Sequence, residues 1–413
     1  MTAAIHTPDA EALATQTLAR WGKKPFALCL QVGGAGLFLG LVLGIFSGGM
    51  LRVTLAYLLS ILFFLAISLG SLFFVAVQHL VRAGWSVVVR RITEIMACGV
   101  VPLAILFVPI ILAVLVGSRI PFIWNDAAEV ADSELLQIKS PYLNSWFFTI
   151  RALLYFGIWF LIIRKLFGLS LEQDRTGEPS LTNRMEAFSA PALILFALTI
   201  TFAAFDWIMT LDPYWYSTIY GVYYFAGGVM SSMAVLALIV YFLQNQKILG
   251  NEINVEHRHD IAKLMFGFIC FWAYIAMSQY LLIWYANIPE ETIWFQSRQN
   301  GGWQWISMAL ILGHFVLPFL GFISRNMKRN AAVHVFWALF MLVMEWIDLY
   351  WLIYPNFIGE NQFSSPPLPY VEIPMLIGVG GIWLAGLLYY AGNRPLLPIR
   401  DPRLGESLAF HNI

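Results

Sequence analysis

The hydrophobic positions of the chain are gathered into long runs, which short polar or proline-rich breaks separate. Ten of these runs approach the ~20 residues that an α-helix needs to cross the hydrocarbon core of a bilayer. The pattern predicts ten membrane-spanning helices, at about 26–48, 53–78, 95–117, 144–168, 190–211, 217–243, 262–287, 303–323, 333–354 and 373–391. Residues 1–25 are polar and lack the apolar core of a signal peptide, and residues 392–413 form a second polar tail.

The composition agrees with this pattern and excludes several classes of protein. Of the 413 residues, 60% are hydrophobic and 12% are charged, whereas about a quarter of an average soluble domain is charged. Lys+Arg and Asp+Glu both number 24, so no general positive field exists to hold a nucleic acid. We therefore expect a polytopic membrane protein rather than a soluble enzyme, a disordered protein or a nucleic-acid-binding protein.

The cysteines and histidines lack the spacing of metal or haem ligands. Cys29, Cys98 and Cys270 each stand alone in an apolar run, so the chain has no CxxC or CxxCH motif of the kind that holds iron–sulfur clusters or c-type haem. Of the seven histidines, only His314 lies well inside an apolar run, so two facing ligands for a b haem are not expected. The sequence predicts no catalytic residue, no metal site and no cofactor bound by this chain.

The basic residues are distributed unevenly between the two sets of loops. Nineteen of the 24 lie in the two termini and in alternate loops, and one more, Arg151, lies within the fourth span. The opposite loops contain only four, Arg52, Arg119, Lys139 and Arg298. Because loops rich in Lys and Arg stay in the cytoplasm, both termini are predicted to be cytoplasmic. The acidic loop 118–143 and the proline-rich loop 355–372 would then face outside as docking surfaces for external partners.

Spans 5 and 9 end in a repeated motif. Each contains an acid–Trp–Ile triplet, at residues 206–208 and 345–347. The two spans lie four apart, so they run in the same direction. Within the membrane domain 26–391, this predicts an all-α membrane protein of two four-helix bundles, spans 2–5 (about 53–211) and spans 6–9 (about 217–354), flanked by spans 1 and 10.

Span 1 contains three glycines at four-residue spacing, Gly36, Gly40 and Gly44. Small residues at this spacing let two helix backbones approach closely. The partner of this glycine face is either another helix of the same chain or a helix of another subunit.

Ionisable residues at membrane depth are the candidates for function, because burying one there costs several kcal/mol unless it is paired or hydrated. Arg151 in span 4 and Asp206 in span 5 fall in the outer half of the membrane. Glu345 and Asp348 lie at similar depth in span 9, and His314 lies nearer the middle of span 8. One interpretation is that Arg151 pairs with Asp206 or Glu345 and pins the bundle. The other interpretation is a hydrated site for protons, a quinone or a substrate ion, because one arginine cannot neutralise three carboxylates.

A second set of ionisable residues lies near the cytoplasmic ends of the spans, where Glu94, Glu186, His79 and His334 are found. Most residues of this kind are ordinary interfacial caps, but together with the outer set they mark a candidate cytoplasmic mouth of a proton path. The candidates for that path are Asp206, Glu345, Asp348, Arg151, His314, Glu94, Glu186 and His334.

One stretch of the sequence has a specific resemblance. Residues 205–215, FDWIMTLDPYW, are followed by STIYG at 217–221 and FAGG at 225–228. These motifs closely resemble those of the ActF subunits of bacterial alternative complex III, which belong to the NrfD/PsrC-like superfamily of ten-helix proteins with two four-helix bundles. The motifs cover about 25 residues, and the number of spans, their orientation and the chain length agree with the family throughout.

The resemblance implies an integral subunit of a quinol:electron-acceptor oxidoreductase, with a cytochrome c-type acceptor, in the inner (plasma) membrane of a bacterium. The implied partners are a multihaem cytochrome c subunit, an iron–sulfur subunit, a second ten-helix NrfD-like subunit and small membrane subunits. Haem c and iron–sulfur clusters would lie in those partners, with menaquinone or another quinone in the complex. Contacts with lipid and none with nucleic acid are expected.

The first bundle departs from the pattern of the family's second ten-helix subunit, which is thought to oxidise quinol in a pocket containing His and Asp. Spans 2–5 have no histidine in their outer half, so quinol oxidation is not predicted there. We expect a non-catalytic subunit that conducts protons, acts as a scaffold, or does both. The alternative is a secondary transporter with an intramembrane carboxylate–arginine site. Transporters often have helices broken in both halves; here Pro102 and Pro109 interrupt span 3, but span 7 has no proline.

Overall fold

Ten helices of the computed structural model are long and apolar enough to cross a membrane, as the hydrophobic pattern predicts. The structure describes residues 15–19, 22–360 and 363–411, so most of the predicted N-terminal segment 1–25 lies outside the described residues. The ten helices are α1 Lys24–Ser47, α2 Gly49–Leu80, α3 Val87–Leu115, α4 Ser145–Thr176, α5 Ser180–Leu211, α6 Tyr220–Asn245, α7 Val255–Ala286, α8 Trp303–Phe322, α9 Ala331–Ile358 and α10 Glu372–Ala391.

Short helices and local irregularities complete the secondary structure. The short helices are Ala127–Asp132, Glu134–Lys139, Pro289–Ser297, Arg325–Arg329 and Leu404–Leu408. Tight 3₁₀ turns occur at Ile123–Asn125, Met209–Leu211 and Tyr354–Glu360, and a π-helical segment occurs at Leu310–Val316. No strand occurs in the described part of the chain. The predicted fold class, an all-α protein with ten membrane-length helices, is confirmed.

Several helices are longer than their apolar runs. α3 begins at Val87 rather than near residue 95, and α7 begins at Val255 rather than near 262. α4 continues to Thr176, whereas its apolar run ends near 168. Hydropathy marks the part of a helix that suits hydrocarbon, but the backbone hydrogen-bond ladder continues into polar sequence until a cap ends it. Gly177, in the left-handed conformation with φ 73°, is the cap that ends α4.

The helices pack in two groups. α2 and α4 each pack against α3 and α5, whereas α6 and α8 each pack against α7 and α9. The two groups meet where α2 packs against α6. This arrangement is the predicted pair of four-helix bundles.

The glycine face of α1 packs against α10 of the same chain. A Cβ atom at Gly36 would lie 2.7 Å from the backbone nitrogen of Gly378, and one at Gly40 would lie 2.7 Å from the side chain of Met375. The absence of side chains at these positions therefore lets the two backbones approach closely. Of the two partners left open by the sequence, the structure places a helix of this chain on the glycine face.

The two ends of the helix array differ. We call the end crossed by residues 392–411 the tail end, and the opposite end the loop end. In the tail, Asp401 forms an ion pair with Arg90 of α3. The Ser407 carbonyl oxygen lies 3.0 Å from Nε2 of His257 in α7, and the Ser407 hydroxyl accepts a hydrogen bond from the backbone of Val88. The tail therefore ties the first bundle to the second.

Candidate functional site

Asp206 and Arg151 form a closed ion pair in the first bundle. The Arg151 guanidinium donates from Nε to Oδ2 of Asp206 at 2.7 Å and from Nη2 to Oδ1 at 2.9 Å. Tyr155 donates its hydroxyl to the same carboxylate at 2.8 Å, and Nη1 of Arg151 donates to the Tyr142 carbonyl. Arg151 and Asp206 are both buried. Because the guanidinium keeps its charge at any physiological pH, this carboxylate is permanently neutralised, and the pair joins α4 to α5.

Glu345, Asp348 and His314 form a second cluster, in the second bundle. Their exposed fractions are 1%, 1% and 0%, respectively. Nε2 of His314 lies 3.4 Å from Oε2 of Glu345. One nitrogen of the imidazole and one oxygen of each carboxylate all lie within 4.8 Å of one another. The four candidates in the outer half of the membrane thus fall into two groups. Arg151 and Asp206 form a pair, and Glu345 and Asp348 form a cluster with His314.

Local structure aims the three side chains at one another. Glu345 and Asp348 are three residues apart in α9, so they share a helix face. His314 lies in the π-helical segment of α8, and such wide turns recur at functional sites. Gly227 of α6 faces the Glu345 carboxyl group, and a Cβ atom at that position would collide with its oxygens. The FAGG motif therefore provides the space that Glu345 occupies.

Two aromatic residues complete the cluster. Tyr223 of α6 donates its hydroxyl to Oδ1 of Asp348 at 2.6 Å, and Trp272 of α7 donates Nε1 to Oδ2 at 3.1 Å. The Trp272 ring also stacks on the His314 imidazole, with 3.7 Å between the ring centroids. Neither Tyr223 nor Trp272 was among the residues predicted from the sequence. Tyr223 precedes Gly227 by four positions and so shares its helix face, which is the only signal that could have indicated it.

The cluster lacks a permanent positive charge. Among the ion pairs of the described residues, Glu345 pairs only with His314, and Asp348 pairs with none. Two ionised carboxylates this close together, away from water, would repel each other strongly. The cluster must therefore hold at least one proton. Glu345 and His314, with 3.4 Å between Oε2 and Nε2, lie within reach of a shared proton.

The same ligand atoms are close enough together to suit a metal ion. Tyr223 and Trp272 direct hydrogen-bond donors at the two Asp348 oxygens, which orients this carboxylate toward its neighbours.

The two acid sites are related by the repeat, but they differ chemically. When Asp206 is aligned with Glu345, Met209 aligns with Asp348. The basic partner comes from the third helix of each bundle, Arg151 in α4 and His314 in α8. The first bundle thus has one acid and a permanent cation. The second bundle has two acids and a base that can lose its charge.

The candidates at the tail end lie in three separate places. Glu94 forms an ion pair with Arg91, at 2.9 Å, and accepts a hydrogen bond from the Ser170 hydroxyl at 3.1 Å, within a buried network. Glu186 forms an ion pair with Arg82, which is largely exposed. His334 is buried beside Phe322, and its Nε2 has no hydrogen-bond partner in the described part of the chain. His79, at the same end, is also buried with an unpartnered Nε2.

Arg298 was expected in an external loop, but the structure buries it at the loop end, with 1% of its surface exposed. Its guanidinium lies 3.4 Å from the ring centroid of Trp294 and donates to the carbonyl oxygens of Trp294, Trp351 and Leu352. Burial lowers the pKa of Arg298 to about 9. In the sequence, Arg298 is a single arginine in a polar loop, and nothing there indicates that aromatic residues enclose it. Its burial was therefore not predicted.

Comparison of the chain with protein-family models and with curated proteins finds no match. The evidence for function therefore comes from the residues and their arrangement.

Proposed function

We propose that the chain is the integral membrane subunit of a quinol:electron-acceptor oxidoreductase of the alternative complex III type, and that it carries protons through its second bundle. The observation that carries the proposal is the buried cluster of Glu345, Asp348 and His314, which the described residues provide with no arginine or lysine partner. A group that has to take up and release a proton needs a site where neither charge state is locked. The Asp206–Arg151 pair lacks that property, and its proposed role is structural.

The positions of the motif residues support the resemblance to ActF subunits. Asp206, in the FDWIMTLDPYW motif, holds Arg151. Gly227, in the FAGG motif, faces Glu345. The motif stretch of about 25 residues therefore contributes to both acid sites.

In the proposed complex, this chain binds no redox centre and is non-catalytic. Electrons would pass through haem c and iron–sulfur clusters of a multihaem cytochrome and an iron–sulfur subunit, with quinone and a second ten-helix subunit in the membrane. The uneven distribution of the basic residues supports an orientation with both termini on the cytoplasmic side of a bacterial inner membrane. The loop end would then face those redox subunits. Reporter fusions to the C-terminus and to loop 118–143 should report opposite sides; the same side would contradict the orientation.

The test of proton conduction compares variants of the two acid sites. Glu345→Gln and Asp348→Asn complexes should assemble and transfer electrons, while the protons moved per electron in sealed vesicles fall sharply, because an amide does not exchange a proton at neutral pH. Asp206→Asn is the matched control. Any Asp206→Asn complex that assembles should keep the proton stoichiometry of the wild type. Unchanged stoichiometry in all three variants would leave only a scaffolding role.

Purification separates this proposal from the transporter alternative. Extraction in mild detergent, with identification of the subunits, should recover a multihaem cytochrome, an iron–sulfur protein and a second ten-helix protein. A stable chain without partners that moves a solute into liposomes would instead identify a secondary transporter.

A further inference from the structure

An apolar strip of α3 lies on the surface of the first bundle, between α4 and α10. α3 packs against both of these helices. Three of its side chains nevertheless point away from the protein, Ile105, Val108 and Leu112, which are 67%, 44% and 55% exposed. They are three and four residues apart, so they form one stripe along the helix. On a membrane-spanning helix, this strip faces the acyl chains of the bilayer, with α4 and α10 on either side of it.

The strip ends toward the tail end of the molecule, where the residues of Val87–Ala97 are all buried. Gly386 of α10 packs against Pro102 of α3, since a Cβ atom there would lie 2.7 Å from the proline ring. The two helices run in opposite directions, so Arg394, eight residues after Gly386, lies level with the buried start of α3. Its guanidinium reaches toward α4 and lies 5.7 Å from the centre of the Phe167 ring. An arginine thus stands at the end of the apolar strip.

Two arginines at this place have N–H groups without a protein partner. Arg394 donates from Nη1 to the Tyr390 carbonyl oxygen, and its Nε and Nη2 have no partner among the described residues. Arg164 is exposed and precedes Phe167 by three residues, so it shares the helix face of that ring. Neither arginine takes part in the ion pairs that the described residues form. Two uncompensated guanidinium groups therefore lie beside Phe167.

The charge and the position of these groups select the ligand. Unpaired guanidinium groups attract an anion, and their planar N–H groups match the oxygens of a phosphate. A free phosphate ion would leave the apolar strip uncovered, whereas a phospholipid covers it with an acyl chain and places its phosphate at the level of the arginines. A zwitterionic headgroup would bring a further positive charge to the two arginines, so the site favours a phospholipid with a net negative charge.

We propose that an anionic phospholipid binds between α4 and α10. Its phosphate lies between Arg164 and Arg394, and one acyl chain follows the strip of Ile105, Val108 and Leu112. The bound lipid links α4 to α10 at the tail end, across the surface of α3. The site is independent of the proton route and of the partner subunits, because the residues that form it belong to the first bundle and to α10 of this chain.

The experiment measures lipid binding to the full-length chain by native mass spectrometry. The chain, stripped of lipid in detergent, is titrated with dioleoyl phosphatidylglycerol or with dioleoyl phosphatidylcholine, which has the same acyl chains and a zwitterionic headgroup. A basic residue near the membrane surface contributes roughly fivefold to the affinity for an anionic lipid, so two arginines should favour phosphatidylglycerol by about 25-fold. Equal affinities for the two lipids would overturn the proposal.

Substitutions locate the headgroup. Arg164→Gln and Arg394→Gln should each reduce the preference for phosphatidylglycerol by about fivefold. Lys165→Gln is the matched control, because Lys165 is as exposed as Arg164 but lies about 200° around the helix from Phe167. This variant should keep the preference of the wild type. Equal losses in Arg164→Gln and Lys165→Gln would show that the lipid responds to the general surface charge and not to this site.

A further competitor distinguishes a lipid from a free anion. Glycerol 3-phosphate carries the phosphate without acyl chains, and it should not displace phosphatidylglycerol at equal concentration. Displacement at equal concentration would identify a site for small anions and would contradict the role of the apolar strip.

Discussion

The carboxylate of Asp206 accepts three hydrogen bonds from two buried side chains, Arg151 and Tyr155. An ion pair of this kind is not strongly stabilising in itself, because both charges lose their hydration. Removing one partner is costly, however, because it leaves the other charge buried and uncompensated. The two effects can be separated by single and double replacement.

Asp206→Asn should lower the free energy of unfolding by roughly 3–5 kcal/mol, because the charge of Arg151 is then stranded. The double variant Arg151→Met with Asp206→Leu should recover most of that loss, since neither charge remains. Thermal or denaturant unfolding of the chain in nanodiscs measures both. A single variant as stable as the wild type would show that water reaches Arg151.

Asp212 is half-buried at the loop end, and its burial predicts the direction in which the free energy of unfolding changes with pH. Burial raises the pKa of Asp212, although the backbone N–H of Tyr214 donates to it at 3.1 Å. The folded state then binds this proton more tightly than the unfolded state does, so the free energy of unfolding falls as the pH rises from the unfolded pKa through the folded one. Asp212→Asn should therefore be more stable than the wild type at pH 7, and its advantage should shrink toward pH 4.

The control for this effect is Asp132→Asn, which changes an exposed carboxylate at the same end of the molecule. In the same unfolding series, the advantage of Asp212→Asn over the wild type at pH 7 should exceed that of Asp132→Asn. An equal pH dependence in both variants would mean that burial of Asp212 is not the cause.

At the scale of elements, α6 is the helix on which the second bundle depends. It packs against α2, α7 and α9, and it carries both Tyr223 and the glycine that faces Glu345. Glycine normally weakens a helix interior by ~0.5–1 kcal/mol relative to alanine. At Gly227 that cost is offset, because no larger residue leaves room for the buried carboxyl group.

Gly227→Ala should destabilise the protein by about 1–3 kcal/mol, because the new methyl group collides with the Glu345 carboxyl group. Gly267→Ala in α7 is the matched control. A Cβ atom there meets nothing within 4 Å, so this change should stabilise the protein by up to ~1 kcal/mol. Unfolding in nanodiscs should give effects of opposite sign, and Glu345→Ala should relieve the Gly227→Ala defect. Two effects of the same sign would refute the packing argument.

The elements were predictable from sequence to different degrees. The number and order of the helices follow from hydropathy, because each apolar run must satisfy its own backbone hydrogen bonds in lipid. The start of α3 does not follow from hydropathy, because Arg90, Arg91 and Glu94 are charged residues that the structure nevertheless buries completely. Their burial depends on Asp174 and Asp401, which are distant in sequence.

The acidic residues of the candidate site were predictable from the sequence, but the side chains that pair or hydrogen-bond with them were not. Intramembrane carboxylates are rare, so Asp206, Glu345 and Asp348 stand out in the sequence. Aromatic residues are common in this chain, 16% of the total, so nothing in the sequence distinguishes Tyr223 and Trp272 from residues that only fill space. Which acid receives the arginine is decided by helix packing, and the sequence left Asp206 and Glu345 as alternatives.

At the scale of the whole molecule, the tail fastens the two bundles together at one end. Asp401 pairs with buried Arg90, while the side chain of the neighbouring Arg400 is exposed and donates a hydrogen bond to the carbonyl oxygen of Arg175. Asp401→Asn should therefore lower the free energy of unfolding by about 1–3 kcal/mol, since Arg90 keeps a second carboxylate, that of Glu94 at 3.7 Å. Arg400→Gln should change it by no more than ~0.5 kcal/mol. Equal effects of the two changes, in the same unfolding assay, would mean that the tail is held by other contacts.

The close packing of Gly36 against Gly378 has a consequence for biosynthesis. The two residues are separated by about 340 positions, so α10 leaves the ribosome long after α1. At typical rates of ~5–20 residues per second, the interval is on the order of tens of seconds. Until α10 is made, Gly36 and Gly40 lack the helix that packs against them. The first of the ten helices to be made is thus among the last to be fixed in place, and a membrane insertase that retained α1 until α10 was made would prevent it from pairing with the wrong helix.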